Sequence, residues 1–255
     1  MSLDLTPELW TKLEQDSITI REACGNTVRN VTASDIAGID PEEPFDVTPY
    51  AYETFQYLLR NPICQEMGRK FKISFSSSDK DSAFSFIHDL GYIPKIKDGK
   101  RGFKVMIGGG LGANPYLALT AFEFLEEDQI IPFTEAVIRV FDRYGERNRR
   151  MKARFKFLLE DVGLEKIMQL VEEERKAIKH KVYPINLNVV PPSPIPAEKI
   201  LGEVEPSDPA KYDRWLRTNV IRQKQEGFNA VYVKLPLGNM SSDMTRKFAD
   251  VIDQF

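Results

Sequence analysis

Arg29, Arg69, Lys70 and Lys72 are the residues whose types and spacing most directly suggest chemistry. Lys70 and Lys72 stand two apart in K-F-K-I-S-F-S, where Phe71, Ile73 and Phe75 alternate with polar residues. That alternation predicts a strand over 70–76 with one apolar face and both ammonium groups on the other. Side chains so placed lie roughly 7 Å apart. Two cations at that separation repel unless an anion sits between them. The pair is suited to cradle a small oxyanion or a cofactor carboxylate. The competing reading is a solvated strand face whose charge discourages edge pairing.

A second feature is Gly108-Gly109-Gly110-Leu111-Gly112-Ala113, directly after the strand expected over 103–107. It satisfies the dinucleotide pattern G-x-G-x-x-G/A, with Glu135 downstream as the acidic partner. In that fold the helix begins inside the glycine motif, so that its first amides meet the pyrophosphate. Here Asn114-Pro115 places the expected helix start after the glycines. A dinucleotide-binding enzyme built on Gly108–Ala113 stays as an alternative. The others are close approach of the Gly108, Gly109 and Gly110 backbone to a flat or anionic ligand, and a purely structural loop. A third feature, the basic run from Arg143 to Lys156, reads as a solvated helix from Arg149 with Arg150 and Arg154 on one stripe and Met151, Phe155, Leu158 and Leu159 buried.

The elements that must position these residues alternate between the two periodicities. Helices are expected over 7–15 (Thr6 as cap), 50–60, 81–90, 115–125, 134–144, 149–162, 164–178, 212–220 and 241–254. Strands are expected over 70–76, 103–107 and 230–235. Residues 16–50 read as loops and short strands. The prolines of 184–206 mark an extended linker. The 255 residues are 42% apolar, enough for a packed core, and no run of 18 apolar residues suggests a membrane span. A net charge of −3 argues against a nucleic-acid partner. Two cysteines, Cys24 and Cys64, and two histidines provide no zinc set and no complete iron–sulfur ligand set, so no metal ligands are assigned. Two thiols fit a reducing, cytoplasmic setting.

Four ordered motifs carry a resemblance. They are C-G-N-T-V-R-N-V-T (24–32), G-R-K-F-K-I (68–73), G-F-K-V-M-I-G-G-G-L-G-A-N-P (102–115) and R-N-R-R-M-K-A-R (147–154). Together they resemble the assimilatory sulfite and nitrite reductase family, and 219–227 with 233–241 resembles the opening of its second ferredoxin-like half-repeat. The resemblance implies an α/β (α+β) fold, a mixed sheet flanked by helices, plus a truncated ferredoxin-like piece. It implies an intact parent, monomeric, that reduces sulfite to sulfide or nitrite to ammonia with sirohaem and a [4Fe–4S] cluster. Ferredoxin or another low-potential donor would supply the electrons. Arg29, Lys70 and Lys72 match the family's anion site, Arg69 its sirohaem-carboxylate arginine, and Gly108–Gly110 a loop near the macrocycle. The implied organisation is 1–19 as the end of a preceding half-repeat, 20–183 as the sirohaem domain, 184–206 as linker and 207–255 as the second half-repeat. Cys24 and Cys64 do not match the cluster positions. Ala33-Ser34-Asp35 also stands where Gly-Cys-Pro is common. The chain alone is therefore expected to be inactive and to retain neither cofactor. A non-catalytic binding module descended from that fold is the other alternative.

Overall fold

The segment around Lys70 is the second strand of a five-stranded mixed sheet in the computed structural model, which describes residues 2–20, 22, 24–189 and 205–253. In chain order the elements of the first unit are α1 (Thr6–Gln15), β1 (Val28–Ala33), α2 (Thr48–Leu58), β2 (Phe71–Phe75), β3 (Leu90–Lys97), β4 (Lys100–Ile107), β5 (Leu119–Glu126), α3 (Ile130–Tyr144), α4 (Phe155–Val162) and α5 (Leu164–Ala177). The sheet order is β1-β2-β3-β4-β5. β1, β2 and β3 run parallel, whereas β4 and β5 are antiparallel to their neighbours.

The apolar face expected of the Lys70 segment is the core of this unit. Phe71, Ile73 and Phe75 are fully buried. Phe71 meets Phe141 of α3 at 5.8 Å and Phe155 of α4 at 5.6 Å between ring centres, and Phe141 meets Phe155 at 5.6 Å. Burying each such ring stabilises the fold by about 1.5–3 kcal/mol. Phe75 stacks on Tyr92 of β3 at 4.7 Å, and the Tyr92 hydroxyl lies 2.6 Å from that of Thr134 on α3. These contacts fix the helical layer against the sheet.

Two expected helices are absent. Over 81–90 only a 3-10 turn, Ser85–Ile87, forms. Asp81 accepts the Ser85 N–H at 2.8 Å and Ser76 Oγ accepts the Ala83 N–H at 3.1 Å. Side-chain acceptors thus take the amides that a helix would use. Leu90 and Gly91, read as the end of that helix, instead open β3. Gly91 is required there because a Cβ would meet Ser85 Cβ at 2.5 Å. Pro115 opens no helix either: 119–126 is the edge strand β5, with two register irregularities against β4. Thr6 is the first helical residue of α1 rather than its cap. The helix expected from Arg149 begins at Phe155, after a 3-10 turn in which Met151 is exposed rather than buried.

The chain divides into two compact units with the break between 190 and 191. Most of the expected linker lies outside the described residues, and at its start Ile185 packs on the core of the first unit. Among the described residues, the second unit comprises α6 (Pro209–Asn219), β6 (Val220–Arg222), β7 (Asn229–Val231) and α7 (Ser242–Ile252), with β6 and β7 paired antiparallel. The Asp208 and Ser241 side chains cap α6 and α7.

Candidate functional site

The sheet topology gathers Arg29, Arg69, Lys70 and Lys72 at one end. Because β1, β2 and β3 are parallel and β4 returns antiparallel, the starts of the first three strands and the end of β4 lie together. Arg29 belongs to β1, and its neighbour Asn30 pairs with Lys72 across β1 and β2. Arg69 and Lys70 lead directly into β2. Asp89 immediately precedes β3, and Gly108, Gly109 and Gly110 follow β4. Arg154, the residue before the first turn of α4, joins them from the helical layer. Its place is set by Phe155, which is wedged between Phe71 and Phe141.

Arg29, Arg69, Lys70 and Lys72 are half-buried, and among the described residues no carboxylate pairs with any of their side chains. Asp89, the acid bonded to the Lys72 backbone, is fully buried and committed elsewhere. It accepts Arg154 Nη2 on both oxygens at 2.9 Å and the Lys72 backbone N–H at 3.0 Å. Complete burial pushes the Asp89 carboxyl up, against the pull of Arg154. Burial also lowers the Lys70 ammonium pKa, reinforced by Arg154, Lys72, Arg29 and Arg69. Burial lowers Arg69 too, together with Arg150, Arg154 and Arg29. Mutual repulsion of this kind is relieved by an anion. Two buried donors, Arg29 Nε and Arg154 Nε, have no partner among the described residues.

The glycines are explained first by packing. Gly108 has φ +83°, and a Cβ on it would collide with Leu159 of α4. A Cβ on Gly109 would meet the Phe86 and His88 carbonyls at 2.6 and 2.7 Å, and one on Gly110 the Lys156 and Arg154 side chains at 3.1 and 3.2 Å. The loop therefore lies directly against Arg154. Lys156, 3% exposed, secures it by donating to the Leu111 and Asn114 carbonyls. The dinucleotide alternative loses its geometry here, because the loop runs into β5 and presents no helix N-terminus. Glu135, its acidic partner, is buried on α3, bonded to the Tyr57 hydroxyl and Arg139.

Arg29, Arg69, Lys70 and Lys72, grouped from the sequence, lie near one another at this end of the sheet, whereas no spacing in the sequence groups Asp89, Arg154 and Lys156 with them. Arg154 does not stand on a solvated stripe; its side chain is 15% exposed and faces Asp89. The available signal was an acid, Asp89, set directly before the apolar run Leu90-Gly91-Tyr92-Ile93, a place where a charge is tolerated only with partners. The end of the sheet can hold an anion, or several carboxylates of one ligand. The thiols are poor metal ligands by comparison: Cys24 is exposed, and burial pushes the Cys64 thiol up to about 12. Among the described residues no three acids, histidines or cysteines are placed to share a metal ion, and no helix is long and apolar enough to cross a membrane.

Residues 24–179 match the family described as the nitrite and sulphite reductase 4Fe-4S domain. Among similar proteins, the sulfite reductase [ferredoxin] 1 of Mycolicibacterium paratuberculosis is 29% identical over 97% of this chain and 40% of its own length. The assimilatory ferredoxin-dependent nitrite reductase of Haloferax mediterranei is 34% identical over 68% of this chain and 31% of its own. The structure of the Mycobacterium tuberculosis NirA protein superposes with a TM-score of 0.75 at 28% identity, covering 98% of this chain and 42% of that one. The chain thus spans less than half the length of these relatives. With the mixed sheet, the basic end and the family match in agreement, the chain belongs to the nitrite and sulphite reductase 4Fe-4S domain family.

Proposed function

We propose that this chain furnishes the cation-lined part of the sirohaem and substrate site of a reductase that converts sulfite to sulfide or nitrite to ammonia. The observation that carries this reading is the convergence of Arg29, Arg69, Lys70 and Lys72 without a carboxylate partner among the described residues. In this reading Arg29, Lys70 and Lys72 hold the substrate anion and Arg69 a sirohaem carboxylate, with Gly108–Gly110 beside the macrocycle. The orphaned Arg154 Nε fits a further carboxylate of the macrocycle, and the orphaned Arg29 Nε fits the substrate anion.

When bound, sirohaem supplies the electrons at its iron. The residues of this chain supply charge and protons. Fixed cations stabilise the negative charge that grows on the substrate oxygens as each N–O or S–O bond breaks. Lys70, its pKa lowered chiefly by burial, gives up a proton more readily than an ordinary lysine, which suits oxygen leaving as water. A [4Fe–4S] cluster does not fit the residues present, since it takes four thiolates and the chain has one exposed and one buried cysteine. We therefore expect no reduction by this chain alone. Ferredoxin, named in several relatives, is the donor expected where the remaining ligands are supplied.

The test is binding. Uroporphyrin, a metal-free tetrapyrrole polycarboxylate, should quench saturably on the chain. The affinity should fall steeply with salt, and with Arg69→Ala. Sulfite and nitrite should compete with it only in part, since they occupy the Arg29, Lys70 and Lys72 end. Absence of saturable binding in low salt overturns the reading.

A further inference from the structure

Asp89 ties together the three segments that build the basic site. Its Oδ2 accepts the Lys72 backbone N–H at 3.0 Å, at the start of β2. Its main-chain carbonyl accepts the Gly108 N–H at 2.9 Å, where β4 passes into the glycine loop. Both its carboxylate oxygens accept Arg154 Nη2 at 2.9 Å, in front of α4. The place is not accidental. β3 pairs parallel with β2 and antiparallel with β4, so the residue before it meets the beginning of one neighbour and the end of the other. Asp89 prolongs the ladder on both sides, with a side chain on one and a carbonyl on the other.

A buried carboxylate among cations invites a simpler reading, a counter-ion that offsets part of their charge. The bonding pattern argues against it. Asp89 forms no ion pair with Arg29, Arg69, Lys70 or Lys72. Its bond to Lys72 is to the backbone, so it fixes where the strand starts, and hence where the two ammonium groups project, without taking up their charge. It holds Arg154 by Nη2, while Nε stays buried and without a partner among the described residues.

We propose that Asp89 is a positioning residue of the anion site, holding the start of the Lys70–Lys72 strand, the glycine loop and Arg154 in one arrangement so that the cations meet a polycarboxylate or oxyanion ready-placed. This inference rests on the anion-binding role proposed above.

The two roles predict opposite signs. If Asp89 were only a counter-ion, removing its charge would make the site more positive and tighten anion binding. If it positions, the same change loosens binding. The experiment is uroporphyrin binding by fluorescence, at one fixed ionic strength, to the full chain and to its Asp89→Asn and Asp89→Glu variants. Asp89→Glu keeps the charge but displaces it by a methylene. Both are expected to bind about tenfold more weakly than the native chain, and the Lys72 amide proton resonance should move upfield in both. Binding equal to or tighter than native in either folded variant overturns the positioning role while leaving the anion site standing. Failure of the native chain itself to bind uroporphyrin overturns both. If Asp89→Asn does not fold, because Arg154 is left buried and unpaired, Asp89→Glu decides alone, since it retains an acid for Arg154.

Discussion

The two ends of β2 are both rich in polar residues, and those residues meet different fates. At its far end Ser76 donates to Asp81 at 2.5 Å and Ser77 to Asp40 at 2.7 Å. The Ser34 and Ser82 hydroxyls lie 2.7 Å apart, and Ser82 is 3.1 Å from Ser77. At its near end Lys70 lies within electrostatic reach of Lys72, Arg29 and Arg69, while Asp89 is given over to Arg154. The difference separates two uses of a polar group. Hydroxyls and carboxylates that satisfy one another hold a turn in place. Half-buried cations kept without counter-ions cost stability, and such a cost persists where a ligand offsets it.

The largest expected effect would remove the support of the near end. Phe155→Ala deletes the ring between Phe71 and Phe141 and should destabilise the protein by about 3–5 kcal/mol in urea unfolding. A loss below about 1 kcal/mol would mean that something else anchors α4 and Arg154. Next, Ser77→Ala should cost about 1–3 kcal/mol, because Asp40 loses a buried donor, and should leave uroporphyrin affinity unchanged. Asp40 adds a pH signature. Burial raises its carboxyl, but bonds from Ser77 and the Glu42 N–H outweigh this and leave it below the ordinary 3.8. With the folded value depressed, its contribution is fully present above 3.8 and is lost as pH falls through the folded value. Asp40→Asn should accordingly flatten the acid limb of a urea-stability profile, and an unaltered limb would contradict this.

At the near end the pattern should reverse. Lys70→Ala and Lys72→Ala are expected to leave stability within about 0.5 kcal/mol or raise it slightly, and to leave uroporphyrin bound while weakening the competition by sulfite and nitrite about tenfold. Equal loss of stability at both ends would erase the comparison. The smallest effect concerns the thiols. Cys24 should react with an aromatic disulfide reagent at pH 8 in the native protein, and Cys64 only after unfolding, since it is buried and its thiol is pushed up to about 12.

Much of the secondary structure was legible. The helices α2, α3, α5, α6 and α7 and the strands β2 and β4 follow from periodicity and punctuation, because each has one buried face or a clear stop. β3 was not legible. Its first residues, Leu90 to Ile93, are all buried and so show no alternation, and Gly91 and Pro94 argue against a strand by local preference. Pro94 is tolerated because β2 pairs only as far as Tyr92. β5 was misread because Pro115 with a Leu- and Ala-containing stretch imitates a helix start, whereas β4 offered it an edge to pair with.

By itself the sequence determined the family, through four ordered motifs, and the cations at 29, 69, 70 and 72, because strand periodicity places Lys70 and Lys72 on one face whatever surrounds them. Only the tertiary structure decided what stands among those cations. Asp89 lies 17 residues from Lys72 and 65 from Arg154 along the chain. No local spacing links them; they meet because β3 joins a parallel to an antiparallel strand, and because burial of Phe155 carries Arg154 to the same end of the sheet.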